Sequence, residues 1–288
     1  MNDRDNSCPV GVRQRSPLCM VCAVVLWMIA FTPGAAEPAP VDVRFPEGLT
    51  HGFLLVRSSS GDIVAHGELT QTVKEGGVAE SRLVFRFKDG SLHDEKVAFS
   101  QQRVFTLIRY QLTQRGPSFP EQMDVVIDRG TSTYEVRARG REDGPETVLT
   151  GNIDVPKDAY NGMIVTTLLN LRKGANETVS ILAFVPEPTA ITLELAFVGE
   201  QAIRVGDQSR KAWRYAFQPD IGPVKKFLGK MFGKLPDDFH YDCYILADEV
   251  PSFVRFEGPL QLMGPILSIE LISPQVALKA EDRNHASK

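Results

Sequence analysis

The stretch RLVFRFKDGSLHDEKVAFSQ, residues 82–101, decides the fold. Leu83, Phe85 and Phe87 alternate with Arg82, Val84, Arg86 and Lys88, the period of two that sends successive side chains to opposite faces of a strand. Asp89-Gly90 interrupts this pattern with a dipeptide that tolerates the positive φ of a tight hairpin turn. Ser91 to Gln101 then reads as the returning strand, so the segment predicts a β-hairpin with one apolar face.

Outward from this hairpin the same rhythm recurs at 53–58, 62–73, 103–114, 123–128, 132–139, 146–153, 177–185, 189–198, 210–218, 241–247, 252–256 and 266–272. Ile191, Leu193, Leu195 and Phe197 set against Thr192, Glu194 and Ala196 make the cleanest half-buried strand. Gly-Pro pairs at 116, 144, 222, 258 and 264 punctuate these runs as turns. Strand following strand through short turns predicts an antiparallel sheet. The expected fold is mainly β: one large curved antiparallel sheet of about twelve strands, a half-open or closed barrel with one or two covering helices.

Two segments carry a helical period. In 156–172, Tyr160, Met163, Ile164, Thr167, Leu168 and Leu171 fall on one stripe, with Pro156 in the first turn and Gly174 as a stop. This predicts a helix lying across a sheet face, with Asp154, Asp158 and Asn161 at its positive end. The second begins at Pro223, with Val224, Phe227, Leu228 and Met231 on one side and Lys225, Lys226 and Lys230 on the other. Those lysines would suit peripheral contact with an anionic membrane surface.

At the N-terminus, Arg4, Arg13 and Arg15 precede an apolar run from Leu18 to Phe31 and the small-residue stretch Gly34-Ala35-Ala36. Residues 1–36 therefore read as a secretory signal peptide cut after Ala36, since the run falls short of the roughly 20 residues that span a bilayer. The chain is expected to cross the inner membrane of its host and work in the periplasm. Residues 37–47 are Pro-rich and read as a mobile lead-in, 37–278 as a single β-rich domain, and the polar stretch 279–288 as a disordered tail. Removing the signal takes three of the 32 basic and two of the 36 acidic residues, leaving a mildly acidic chain unsuited to nucleic acid. It also takes Cys8, Cys19 and Cys22, so Cys243 alone remains and no intramolecular disulfide can form.

Candidate chemistry is sparse. Asp89, His93, Asp94 and Glu95 have metal-ligand side chains, but in a strand His93 and Glu95 share one face while Asp94 takes the other, so no metal site is expected. Asp237, Asp238 and His240, near Asp242, read as a solvated turn before the strand at 241–247. No Gly-x-Ser-x-Gly elbow occurs, and His51, His66, His93, His240 and His285 stand in no catalytic context. No catalytic residue and no cofactor are implied.

The runs Phe85 to Ser91, Asp94-Glu95, Phe99 to Gln101, Gln114 to Pro120, Asp154 to Asp158, Asn161-Gly162, Gly229-Lys230, Lys234 to Asp238 and Gly264-Pro265 together resemble a functionally uncharacterised family of secreted bacterial β-rich envelope proteins. The resemblance implies a Gram-negative-type envelope setting and a large curved sheet similar to that of periplasmic lipoprotein carriers, whose half-open barrel leaves an apolar cavity. Sixteen Phe residues and few helices to cover so much sheet suggest an apolar ligand, a lipid or acyl chain. Phe85, Phe87, Phe99, Met163 and Leu168 are the candidate ligand-binding residues. An envelope hydrolase and a structural or assembly protein of the cell envelope are the alternatives.

Overall fold

The computed structural model describes residues 40–119, 121–140, 144–185, 187–224, 241–261 and 264–272. The signal segment 1–36, the lysines at 225, 226 and 230, Asp237, Asp238 and His240, and the tail 279–288 lie outside the described residues.

Alternating apolar residues dictate fourteen strands: β1 (Thr50–Ser58), β2 (Ile63–Lys74), β3 (Val78–Phe87), β4 (Leu92–Gln101), β5 (Phe105–Arg115), β6 (Glu121–Asp128), β7 (Thr133–Gly140), β8 (Glu146–Asn152), β9 (Glu177–Phe184), β10 (Pro188–Val205), β11 (Gln208–Pro219), β12 (Tyr241–Leu246), β13 (Ser252–Gly258) and β14 (Leu267–Ile272). They form one antiparallel sheet in the order β8-β7-β6-β5-β4-β3-β2-β1-β14-β13-β12-β11-β10-β9. Every strand pairs with its sequence neighbours except that β8 and β9 do not pair; instead the first and last described strands, β1 and β14, pair in the middle of the sheet. The hairpin at Asp89-Gly90 forms as the dipeptide dictates. Gly90 has φ 86°, and the Asp89 carboxylate accepts from the Ser91 N–H at 2.9 Å.

The barrel, half-open or closed, is not what forms. Strands β8 and β9 are the sheet's two ends and do not pair with each other, and the sheet is neither closed nor strongly curled. Alternation can prescribe an apolar face, but barrel closure requires a matching shear between the first and last strands that no local pattern encodes.

Helix α1 (Ile164–Asn170) is about two turns of the expected 156–172. Gly162 adopts φ 69°, and Met163, with φ −124°, leaves the helical region just before the helix begins. The preceding residues instead pair alongside the edge of β9 through a parallel bridge, Ala159 with Ser180. Tyr160 N–H donates to the Ser180 carbonyl and Ser180 N–H to the Asp158 carbonyl, both at 3.0 Å, while the Asn161 side chain bonds both backbone groups of Leu182. Asp158 and Asn161 therefore do not sit at a helix start as expected. The Asp158 carboxylate accepts from the Ser180 hydroxyl, and the helix has no acidic residue in its first turn. The second helical segment is described only over its first turn, a 3-10 helix at Gly222–Val224.

The lead-in expected to be mobile is pinned from Val41 onward. Val41 N–H donates to the Tyr160 hydroxyl at 2.7 Å, and the backbone N–H groups of Arg44 and Phe45 both donate to the Asn170 side-chain oxygen. An extended segment with two buried anchors gains contacts that its proline content does not reveal.

The segment from Val155 to Leu171 lies at the centre of the main core. That cluster takes Val97, Phe99, Phe105, Tyr110 and Ile127 from β4 to β6, and Val179, Leu195, Tyr215, Cys243 and Ile245 from β9 to β12. Tyr110 of β5 and Phe184 of β9 stack with ring centroids 6.1 Å apart. A second cluster, Leu54, Val56, Ala65, Phe85, Leu267 and Ile269, fills the middle of the sheet, and Phe253 and Phe256 pack against both. Over β3 to β6 the outer face ladders opposite charges across strands, Arg82 with Asp94, Arg115 with Asp124 and Arg109 with Asp128, whereas over β10 to β12 it carries a small buried apolar cluster of Ile203, Ala212, Tyr244 and Leu246.

Candidate functional site

Alternation along β11 sends Trp213, Tyr215 and Phe217 to the inner face, where they meet Phe197 of β10, Tyr241 of β12, and Phe253 and Phe256 of β13. Phe217, Tyr241 and Phe256 form a triangle with every pair of ring centroids 6.0 Å apart, and Phe197 meets Tyr215 edge-on at 5.5 Å. Tyr215 and Phe217 are buried; Phe197, Trp213, Tyr241, Phe253 and Phe256 retain part of their surface. Aromatic surface left half-covered in this density, and joined to a fully buried layer, is what an apolar ligand requires of a wall.

Polar groups on this inner face are few. The Tyr215 hydroxyl is buried with no hydrogen-bond partner among the described residues. On β4, Glu95 accepts from the Tyr110 hydroxyl at 2.8 Å, and loss of solvent pushes its pKa up, partly offset by that bond. Gly162 covers the carboxyl so closely that a Cβ there would lie 3.3 Å from its carbon. His93, two residues away on the same face, lies between Phe85 and Phe119 with Nδ1 3.0 Å from the Gln114 amide nitrogen. Burial pushes its pKa down to about 4 against the opposing charge of Asp94, so the ring is neutral at physiological pH. Asp94 points outward to Arg82, as strand alternation requires.

The structure brings Phe99, Met163 and Leu168 into the main core, and places Phe85 in the central cluster with Phe87 packed against it. Phe85, Phe99, Met163 and Leu168 are fully buried among protein neighbours, and Phe87 is partly exposed. The more accessible aromatic set on β10 to β13 escaped selection, although the alternation of Trp213, Tyr215 and Phe217 was a legible signal. Asp242, in the strand expected at 241–247, is buried on β12. Its carboxylate holds the Arg214 guanidinium through two bonds of 2.8 and 2.9 Å, because the register sets the two strands side by side. Cys243 is buried, and loss of solvent raises its pKa well out of the range of a reactive thiolate.

Two surface depressions are lined mainly by polar residues. One crosses the outer face of β2 to β5 between Thr70, Arg82, Lys96 and Arg109; another lies among Thr178, Glu194, Gln218 and Asp220. In the first, Arg82 and Arg109 are already paired with Asp94 and Asp128. Among the described residues no group of three His, Cys, Asp or Glu side chains could hold a metal ion. No protein-family model, no curated protein and no solved structure matches the chain.

Proposed function

We propose that this chain is a binding protein of the bacterial cell envelope that holds an apolar ligand, a lipid or acyl chain, against the inner face of its sheet. The observation that carries the reading is the aromatic wall of β10 to β13, where Phe197, Trp213, Tyr241, Phe253 and Phe256 stay partly exposed around buried Tyr215 and Phe217. The short cover supports it too. Over the described residues a single seven-residue helix and its flanking turns lie across this face, held largely by side-chain bonds such as those of Tyr160 and Asn170. Phe99 packs in the same core as Met163 and Leu168 of that cover and would meet a chain that displaced it. The cationic start and apolar run of residues 1–36 support the envelope location.

The processed protein has one tryptophan, Trp213, on the wall itself. Titration with a sixteen-carbon acyl compound should shift its emission to the blue and saturate. Solvent extracts of protein from the native host should contain acyl-chain material. An unchanged spectrum together with a clean extract would overturn the reading.

The open sheet favours a second reading. Strand β8 ends the sheet, its Val148 is exposed, and its outward backbone groups could accept a strand from another envelope component. Stable co-isolation with one protein, abolished by Val148→Pro, would support this assembly role.

A further inference from the structure

Tyr215 carries a group that packing does not require. Its side chain is fully buried, its ring meets Phe197 edge-on, and its hydroxyl finds no partner among the described residues. A phenylalanine would fill the same space without the cost of an unpaired polar atom. The hydroxyl can donate or accept, and its surroundings choose between the two. Arg44, whose Nη1 donates to the carbonyls of Leu171 and Asn170, exerts a positive potential on the phenol, while the neighbouring Cys243 thiol is kept neutral by burial. An ammonium would be repelled there; a negatively polarised oxygen would be welcome.

We propose that the Tyr215 hydroxyl anchors the polar head of the bound amphiphile by donating to a carboxylate or ester carbonyl oxygen, with the chain running along the aromatic wall. This inference rests on the binding reading above and names the ligand class for it. Trp213 and Phe217, two residues to either side on the same strand, and Phe197 across from it provide the apolar flank that the chain would follow.

The test is Tyr215→Phe, titrated with palmitate, methyl palmitate and hexadecane and read through Trp213 emission. The variant should be at least as stable as the wild type in urea, because an unpaired hydroxyl contributes nothing to hold the fold. Palmitate affinity should fall about tenfold, equivalent to about 1.4 kcal/mol, with hexadecane affinity unchanged. A parallel loss for methyl palmitate would assign the ester carbonyl of a lipid, and a loss confined to palmitate would assign a free carboxylate. Equal affinities of wild type and variant for all three probes would overturn the anchor while leaving the binding reading intact, as expected if the hydroxyl binds only a buried water. A variant less stable than the wild type would overturn it as well, by showing that the hydroxyl already has a partner. If the wild type binds no probe, the binding reading falls and takes the anchor with it.

Discussion

Two residues of β4 on the same inner face respond to pH in opposite directions. His93 has a folded-state pKa of about 4 against 6.5 for the free side chain, so between these values the unfolded chain binds the extra proton. Its contribution is fully present above about pH 6.5 and is lost as the pH falls toward 4, a span worth roughly 3 kcal/mol. His93→Gln should therefore flatten the rise in urea midpoint between pH 4.5 and 7; identical slopes in both proteins would refute the assignment. Glu95 has a raised pKa, so here the folded chain binds the extra proton. Its contribution is present below the unfolded value and is lost as the pH rises through the folded one. Glu95→Gln should raise the midpoint at pH 7, with the gain shrinking toward pH 4, while the Tyr110 hydroxyl keeps an acceptor in the amide oxygen. A variant less stable at pH 7 would show that the carboxylate is held by something more than Tyr110.

At the scale of elements, close approach and burial set the costs. Gly67 of β2 faces Phe85 across the sheet, and a Cβ there would lie 2.5 Å from two atoms of its ring. Phe85 is completely buried and cannot swing aside, so Gly67→Ala should destabilise by about 1–3 kcal/mol. Helix α1 is too short to persist alone and is held by its buried side chains. Leu168 is 1% exposed, and Leu168→Ala should cost roughly 2–5 kcal/mol. Chemical denaturation measures both; a change under about 0.5 kcal/mol would mean that the element is peripheral. β10 runs eighteen residues through a register shift between Phe197 and Gly199. The Asn176 side chain accepts from the Phe197 N–H beside this shift, so the irregularity is supported from outside the strand.

Across the whole molecule, one core ties the two halves of the sheet together, since β4 to β6 and β9 to β12 bury side chains in the same cluster with the segment 155–171 between them. Neither half keeps that core alone. Unfolding followed by Trp213 fluorescence, which reports β11, should coincide with unfolding followed by far-UV circular dichroism, which reports all fourteen strands. Two separated transitions would show that the halves fold independently. The open ends of the sheet differ: backbone bonds from 158–160 cap part of β9, whereas β8 is largely solvent-exposed.

Sequence alone determined the strands and their order in the chain, because a period of two and a glycine-tolerant turn are local properties of the backbone. The run 82–101 specified its hairpin down to the turn at Asp89-Gly90, and the opposite directions of His93 and Asp94 followed from the same alternation. The shortening of 156–172 to a seven-residue helix was not legible, since its apolar stripe suits a helix equally well. The alternative depended on Ser180 and Leu182 of β9 offering backbone partners to residues near them only in space. The burial of Asp242 against Arg214 depended in the same way on the β11–β12 register. Tertiary structure alone decided that the sheet stays open, and which of the many aromatic residues remain partly exposed. Both depend on how distant strands meet: periodicity assigns a side chain to a face, whereas packing decides what covers it.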